Sequence, residues 1–137
     1  MQIPDKWDNT CNVLLAHQFD DAVKLDTDNK QQMEKFYIWR KRMTAMAMGA
    51  NVQMLFDMTL NDMRDLQNAV DATPRITDED KAKAKAYWSA ADEAMYSILV
   101  KVVSGKQLES VVLEETGFAN AWRRLCEKNE LKDLSTG

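Results

Sequence analysis

The sequence has little of what most metal and catalytic sites require. It contains one histidine, His17, and two cysteines, Cys11 and Cys126, among 137 residues. A structural zinc site usually takes four Cys or His ligands, so these three residues cannot complete one. The cysteines have no CxxC spacing, which argues against a disulfide framework and favours a reducing compartment. We therefore predict no metal site, no cofactor and no catalytic residue.

Motifs for nucleotide binding are also missing, because no GxGxxG or GxxxxGK[ST] segment is present to hold a phosphate. Three carboxylate pairs occur, at Asp20/Asp21, Asp92/Glu93 and Glu114/Glu115. Each pair stands beside polar residues at a predicted helix end or on an exposed face, so we interpret all three as solvated surface and not as general acids or bases. Cys126 adjoins an apolar helical stripe and is interpreted as a small buried side chain. The chain is not expected to be an enzyme.

Glycine and proline are scarce, at four and two residues, which favours long helices over turn-rich sheets. No apolar run is long enough for a transmembrane helix, and Met1–Lys6 lacks the pattern of a signal peptide. The cytosol or the nucleus is therefore the expected location. With a net charge of −4 and a pI of about 5.0, the chain repels phosphate on average. It is a poor candidate for holding RNA by itself.

Apolar spacing predicts an all-α fold, a compact bundle of five to six helices. We predict a short helix over 7–19, a loop over 20–29 and helices over 30–48, 62–70, 78–103 and 117–131, with short apolar pieces at 52–58 and 108–113. Asn61, Thr77 and Thr116 are predicted N-caps, and glycines at 49 and 105 end two of the helices. The predicted core residues are Phe36, Trp39, Met43, Trp88, Met95, Ile98, Phe118, Trp122 and Leu125.

Methionine is abundant, with nine residues, six of them between positions 43 and 63. Flexible, polarisable methionines fill cores, but they also suit surfaces that adapt to a partner. Met48 lies roughly opposite the Trp39–Met43 stripe of its predicted helix, so that helix is either buried on two sides or leaves one face for a partner. Met48, Met54 and Met58 are our candidate protein interface. Basic groups at 40–42, 81–85 and 123–124 are interpreted as solvated faces, or as a weak patch for RNA or an acidic partner.

Three tryptophan-centred segments resemble the Gag polyproteins of copia-type LTR retrotransposons. Phe36–Met43 resembles an aromatic-x-x-Trp-x-x-x-Met opening, Tyr87–Ala94 with Ile98 resembles a Trp-x-x-x-Asp-x-x-Ala-x-x-x-Ile helix, and Thr116–Leu125 resembles a Thr-Ala-x-x-x-Trp-x-x-Leu segment. They occur in the family's order and at similar separations. The resemblance implies the N-terminal lobe of a capsid, which is helical, has no enzymatic activity and packs against copies of itself to build a virus-like particle around RNA. The three tryptophans would then be core residues.

The chain departs from the family in some respects. It lacks the Phe-x-Gly-x-x-aromatic lead before the first tryptophan, and it contains neither the second capsid lobe nor the zinc knuckle that contacts RNA. We treat it as one domain, with an N-terminal segment at 1–29, a capsid-like lobe at 30–131 and a frayed tail at 132–137. Two functions are expected: self-association as a Gag-like or domesticated capsid lobe, or binding of another protein as a small helical adaptor or inhibitor. RNA contact would be weak or indirect, and no membrane contact is expected.

Overall fold

The computed structural model describes Phe19 and residues 24–50, 52–57 and 63–136, with side chains as far as Asn129. The predicted helix over 7–19 therefore lies outside the described residues, apart from the buried Phe19. The same is true of His17, Cys11, Met58 and the predicted cap Asn61. The described part is mostly helical, which confirms the predicted class. None of its helices is long and apolar enough to cross a membrane.

The predicted helix over 30–48 is in fact two helices. Helix α1 spans Lys30–Glu34 and α2 spans Phe36–Gly49, with Lys35 between them at φ −113° and ψ 29°. Asn29 caps α1 by accepting a hydrogen bond from the Gln32 amide at 3.1 Å. Helix α1 has no buried residue, whereas α2 is held to the core by Phe36 and Trp39. Helix α1 packs separately, because its partly buried Met33 lies against the core and the helix contacts residues 25–26 of the chain.

The longest helix, α4, begins and ends where the capping residues predict. Thr77 Oγ1 accepts a hydrogen bond from the Asp80 amide at 3.1 Å, and α4 then spans Asp78–Val102. Three acidic residues occupy its first turn, where the helix dipole favours negative charge. Gly105 follows three residues after the helix with φ 89°, a conformation that suits glycine.

A two-stranded parallel ladder was not predicted. Strand β1, Leu25–Asp26, pairs with β2, Val103–Ser104, in the register Leu25 to Val103 and Asp26 to Ser104. The Thr27 amide extends the ladder with a hydrogen bond of 2.9 Å to the Ser104 carbonyl. The predicted loop over 20–29 therefore contains a strand, which two residues are too few to reveal by alternation.

The remaining elements close the bundle around one hydrophobic core. They are a 3₁₀ helix at Gln53–Phe56, helix α3 at Met63–Asp71, a π-helix at Leu108–Val112 and helix α5 at Phe118–Thr136. Helix α3 packs on α4, and α5 packs on α2, on α4 and on both short helices. The backbone of α5 is helical as far as Thr136 and so includes residues 132–136 of the predicted tail.

Aromatic rings join α2, the 3₁₀ helix and α5. The ring centroids of Trp39 and Trp122 are 5.5 Å apart, and Phe56 lies 4.7 Å from both Trp122 and Phe118. Tilted and edge-on contacts at these distances are favourable for aromatic pairs. All nine predicted core residues are buried: Phe36, Trp39, Met43, Trp88, Met95, Ile98, Phe118, Trp122 and Leu125.

Candidate protein-binding surface

Helix α2 carries most of the large hydrophobic side chains that the described part of the chain exposes. Tyr37 is 48% exposed, Ile38 38% and Met48 62%. The only other large hydrophobic side chain exposed among the described residues is Leu113, at 50%. Single exposed hydrophobic residues are common on soluble proteins, but the placement of three of the four on one helix suggests a contact along that helix.

These residues lie in two adjacent rows on α2. Tyr37, Lys41 and Met48 form one row, because positions four and eleven residues apart are nearly in line on an α-helix. Ile38 and Arg42 begin the second row beside it. We call Tyr37, Ile38, Lys41, Arg42 and Met48 the outer face of α2. It is apolar at both ends and basic in the middle.

The basic residues of this face differ from the other basic groups of the chain. Lys83 and Lys85 pair with Glu79 and Asp71 at 3.6 and 2.6 Å. Lys41 and Arg42 form no ion pair with any described residue, and α2 contains no acidic residue. The outer face of α2 is therefore a local positive surface on a chain whose net charge is −4.

The third basic group, on α5, is also paired with acids. Arg124 bonds Glu115 at 2.7 Å and Glu114 at 3.1 Å, while Arg123 pairs with Glu127 at 3.2 Å. The hydrogen bonds that Arg124 donates to Glu115 and Glu114 raise the pKa of its guanidinium. The interpretation of Glu115 as solvated is wrong, because its side chain lies against Arg124 and is only 19% exposed. This group has no excess positive charge to offer RNA.

A cleft of about 430 Å³ adjoins the outer face of α2. Ile38 and Arg42 belong to both, and Trp39, Lys24 and Lys35 also line the cleft. No carboxylate is among its lining residues in the described part of the chain. The cleft therefore combines an apolar wall with three cationic groups.

The three methionines of the predicted interface do not share one exposed surface in the described structure. Met48 is exposed on the outer face of α2, but Met54 is half-buried and packs against the core. Met58 lies outside the described residues. Met46 and Met63 also pack against the core, so the abundance of methionine mainly reflects core filling here.

The interpretation of Asp92 as a solvated carboxylate is wrong. Its side chain is buried and its Oδ1 accepts a hydrogen bond from the Ala119 amide at 3.1 Å, so it caps α5 from the side of α4. Burial raises the pKa of Asp92, while the amides of Ala119 and Phe118 act in the opposite direction. Gly117 makes room for the carboxylate, because a Cβ there would lie 2.8 Å from Asp92 Oδ2. Asp92 therefore has a structural role in α5.

A second buried polar contact joins the Gly105 turn to α5. Gln107 and Asn129 are both buried and exchange two amide hydrogen bonds, of 3.1 and 2.7 Å. Asn129 also donates to the Leu125 carbonyl at 2.7 Å. The sequence offered no signal for this pair, because its members are 22 positions apart and belong to residue types that are usually exposed.

Cys126 is buried, as predicted. Among the described residues, no three His, Cys, Asp or Glu side chains are grouped so that they could hold a metal ion. Comparisons with protein-family models, with curated proteins and with solved structures found no match for this chain.

Proposed function

We propose that this chain is a protein-binding lobe that self-associates through the outer face of α2, in the manner of a Gag-like capsid lobe. The observation that carries the proposal is that three of the four large hydrophobic side chains exposed in the described residues lie on this helix. Tyr and Met are enriched in the cores of protein interfaces, whereas Lys is usually depleted there. The apolar ends of the face would supply contact area, and its basic centre would select the partner.

The size of the face suits a weak, repeated contact. Fully burying one large hydrophobic side chain stabilises a complex by about 1.5–3 kcal/mol. Tyr37, Ile38 and Met48 are already partly buried, so each would contribute only part of that. Ordering side chains and losing free motion on association offsets much of the remainder. A shell needs many such contacts, each of them reversible.

The substitution Met48→Glu tests the proposal. Met48 is 62% exposed, so a charged residue is tolerated in the monomer but not in a buried contact. We expect the association constant, measured by sedimentation equilibrium up to millimolar concentration, to fall about tenfold or more, which corresponds to about 1.4 kcal/mol. The melting temperature should stay within a few degrees of wild type.

Leu113→Glu is the matched control, because Leu113 is 50% exposed and lies outside α2. It should leave association unchanged. Equal association of Met48→Glu and wild type would refute the role of α2. A wild-type chain that stays monomeric throughout would refute self-association and leave the alternative, an adaptor or inhibitor that presents the same face to a different protein.

A further inference from the structure

The outer face of α2 is poorly suited to pairing with its own image. A two-fold dimer brings the same patch of both copies together, so Lys41 and Arg42 would oppose the same cations of the second copy. Like charges brought together in an interface are unfavourable. No carboxylate on α2 is present to relieve this repulsion. A self-contact through this face therefore requires a different, acidic surface on the second copy.

The cleft beside α2 defines the chemistry that this surface should have. Lys24, Lys35 and Arg42 can each bond a carboxylate, and Ile38 with the edge of Trp39 offers an apolar wall. A matching segment needs several carboxylates on one short stretch, next to an apolar side chain. It must also be exposed to solvent.

The start of α4 has these properties. Asp78, Glu79 and Asp80 are consecutive and exposed in the first turn, and the half-buried Ile76 precedes them. We call residues 76–80 the acidic corner. A helix N-terminus carries only about half a positive charge, so three carboxylates leave the corner clearly negative. Glu79 is partly engaged by Lys83, but that pair is 3.6 Å long and exposed, and such pairs contribute little.

We propose that the acidic corner of one copy docks on the outer face of α2 and its adjoining cleft in a second copy. This inference rests on the proposed self-association and names its two surfaces. The contact is heterologous, because each copy contributes a different surface. After one contact the first copy keeps an unused cleft and the second copy an unused corner, so the contact repeats into rings or chains. The contact should weaken as salt is added, because screening reduces attraction between exposed charges.

A charge-swap experiment tests this arrangement in the full chain. Lys35→Glu with Arg42→Glu makes the cleft acidic, and Asp78→Lys with Asp80→Lys makes the corner basic. None of these four side chains forms an ion pair with a described residue. Each double variant alone should associate about tenfold more weakly than wild type or worse, as measured by sedimentation equilibrium. The corner variant should melt a few degrees lower than wild type, because cations are unfavourable in the first turn of α4. A single cooperative thermal transition in both double variants would show that they are folded.

Restoration is the decisive outcome. Combining all four substitutions in one chain keeps the net charge of −4, since two cations and two anions are exchanged. This variant should recover wild-type association. A mixture of the two double variants should associate again in alternating order, because the acidic cleft of one variant fits the basic corner of the other and the unaltered cleft and corner still fit each other.

Matched controls separate this effect from net charge. One control variant carries Lys106→Glu and Lys128→Glu and has the net charge of the cleft variant. The other carries Glu93→Lys and Glu109→Lys and has the net charge of the corner variant. All four residues are exposed, and both controls should associate like wild type. Arg75→Gln removes the exposed cation next to the corner and should strengthen association several-fold.

Three outcomes would overturn the inference. If wild type associates but the four-residue variant does not recover, the corner and the cleft are not partners, although self-association stands. If wild type stays monomeric, the proposed function fails first. The third outcome is that wild type stays monomeric but binds a labelled single-stranded RNA. If the variant with Lys35→Glu and Arg42→Glu then fails to bind this RNA, the cationic surface binds RNA and not a second copy.

Discussion

Removing the buried carboxylate of Asp92 is the most direct test of how α5 is anchored to α4. Asp92→Ala deletes the acceptor for the Ala119 and Phe118 amides at the start of α5. Losing an N-cap acceptor costs about 0.5–2 kcal/mol, and leaving a buried amide without a partner costs about 1–3 kcal/mol. The lost cap and the unpaired amide are two descriptions of the same change, so their costs are not added. We expect the free energy of unfolding to fall by about 2 kcal/mol. For a chain of this length the melting temperature should fall by roughly 6–10 °C.

Asp92→Asn separates hydrogen bonding from charge, because the amide oxygen can still accept while the negative charge is gone. Burial raises the pKa of Asp92, so the folded state keeps its proton to higher pH than the unfolded chain does. The stability that protonated Asp92 contributes is complete below the ordinary value of 3.8 and is lost as pH rises through the raised pKa. Asp92→Asn cannot titrate there. Its stability relative to wild type should therefore increase as pH rises across this window.

Urea unfolding of wild type, Asp92→Ala and Asp92→Asn at acidic and at neutral pH measures both effects. The alanine variant should be less stable than the asparagine variant at every pH. Our account of Asp92 is refuted if alanine and asparagine are equally stable, since the cap would then contribute nothing. If wild type gained stability over Asp92→Asn as pH rises, the amides of Ala119 and Phe118 would dominate over burial, and the direction of the pKa shift would be wrong.

Two further substitutions test the turn at Gly105 and its link to α5. Asn129→Leu should lower the free energy of unfolding by about 1–3 kcal/mol, because it leaves the buried Gln107 amide without its partner. In a double-mutant cycle, the double variant with Gln107→Leu should lose less stability than the sum of the two single variants. Gly105→Ala should lower the free energy of unfolding by about 2 kcal/mol or more, because φ is 89° and a Cβ would lie 2.5 Å from Thr27 Oγ1. Thermal unfolding measures this loss. A melting temperature within a degree of wild type would refute the second expectation.

Local signals in the sequence predicted the main helices and their ends. Thr77 before three acids and Gly105 after an apolar stripe mark the limits of the longest helix closely, because capping depends on neighbours along the chain. The spacing of Phe36, Trp39 and Met43 likewise identified a buried face. Periodicity did not reveal the break at Lys35, because α1 contributes no buried residue whose position would shift.

Contacts between distant residues were not predictable in this way. Asp92 and Ala119 are 27 positions apart, and only the packing of α4 against α5 brings them together. Met54 shows the same limit, because the sequence cannot say which side of a short apolar segment meets the core. Met48 was correctly placed opposite the buried stripe, and its exposure is what makes α2 a candidate surface.

The short parallel ladder has a consequence for the order in which the chain folds. Leu25 pairs with Val103, so pairing of β1 with β2 closes a loop of the chain. Among the described residues this loop contains helices α1 to α4 and leaves out only α5. Loop closure loses chain entropy, and two strand residues with the Thr27 hydrogen bonds offer little to offset it. The pairing should therefore form only after the helices have already brought its ends together. In native-state hydrogen exchange the Thr27 amide should open ahead of the core amides, and in refolding it should gain protection last.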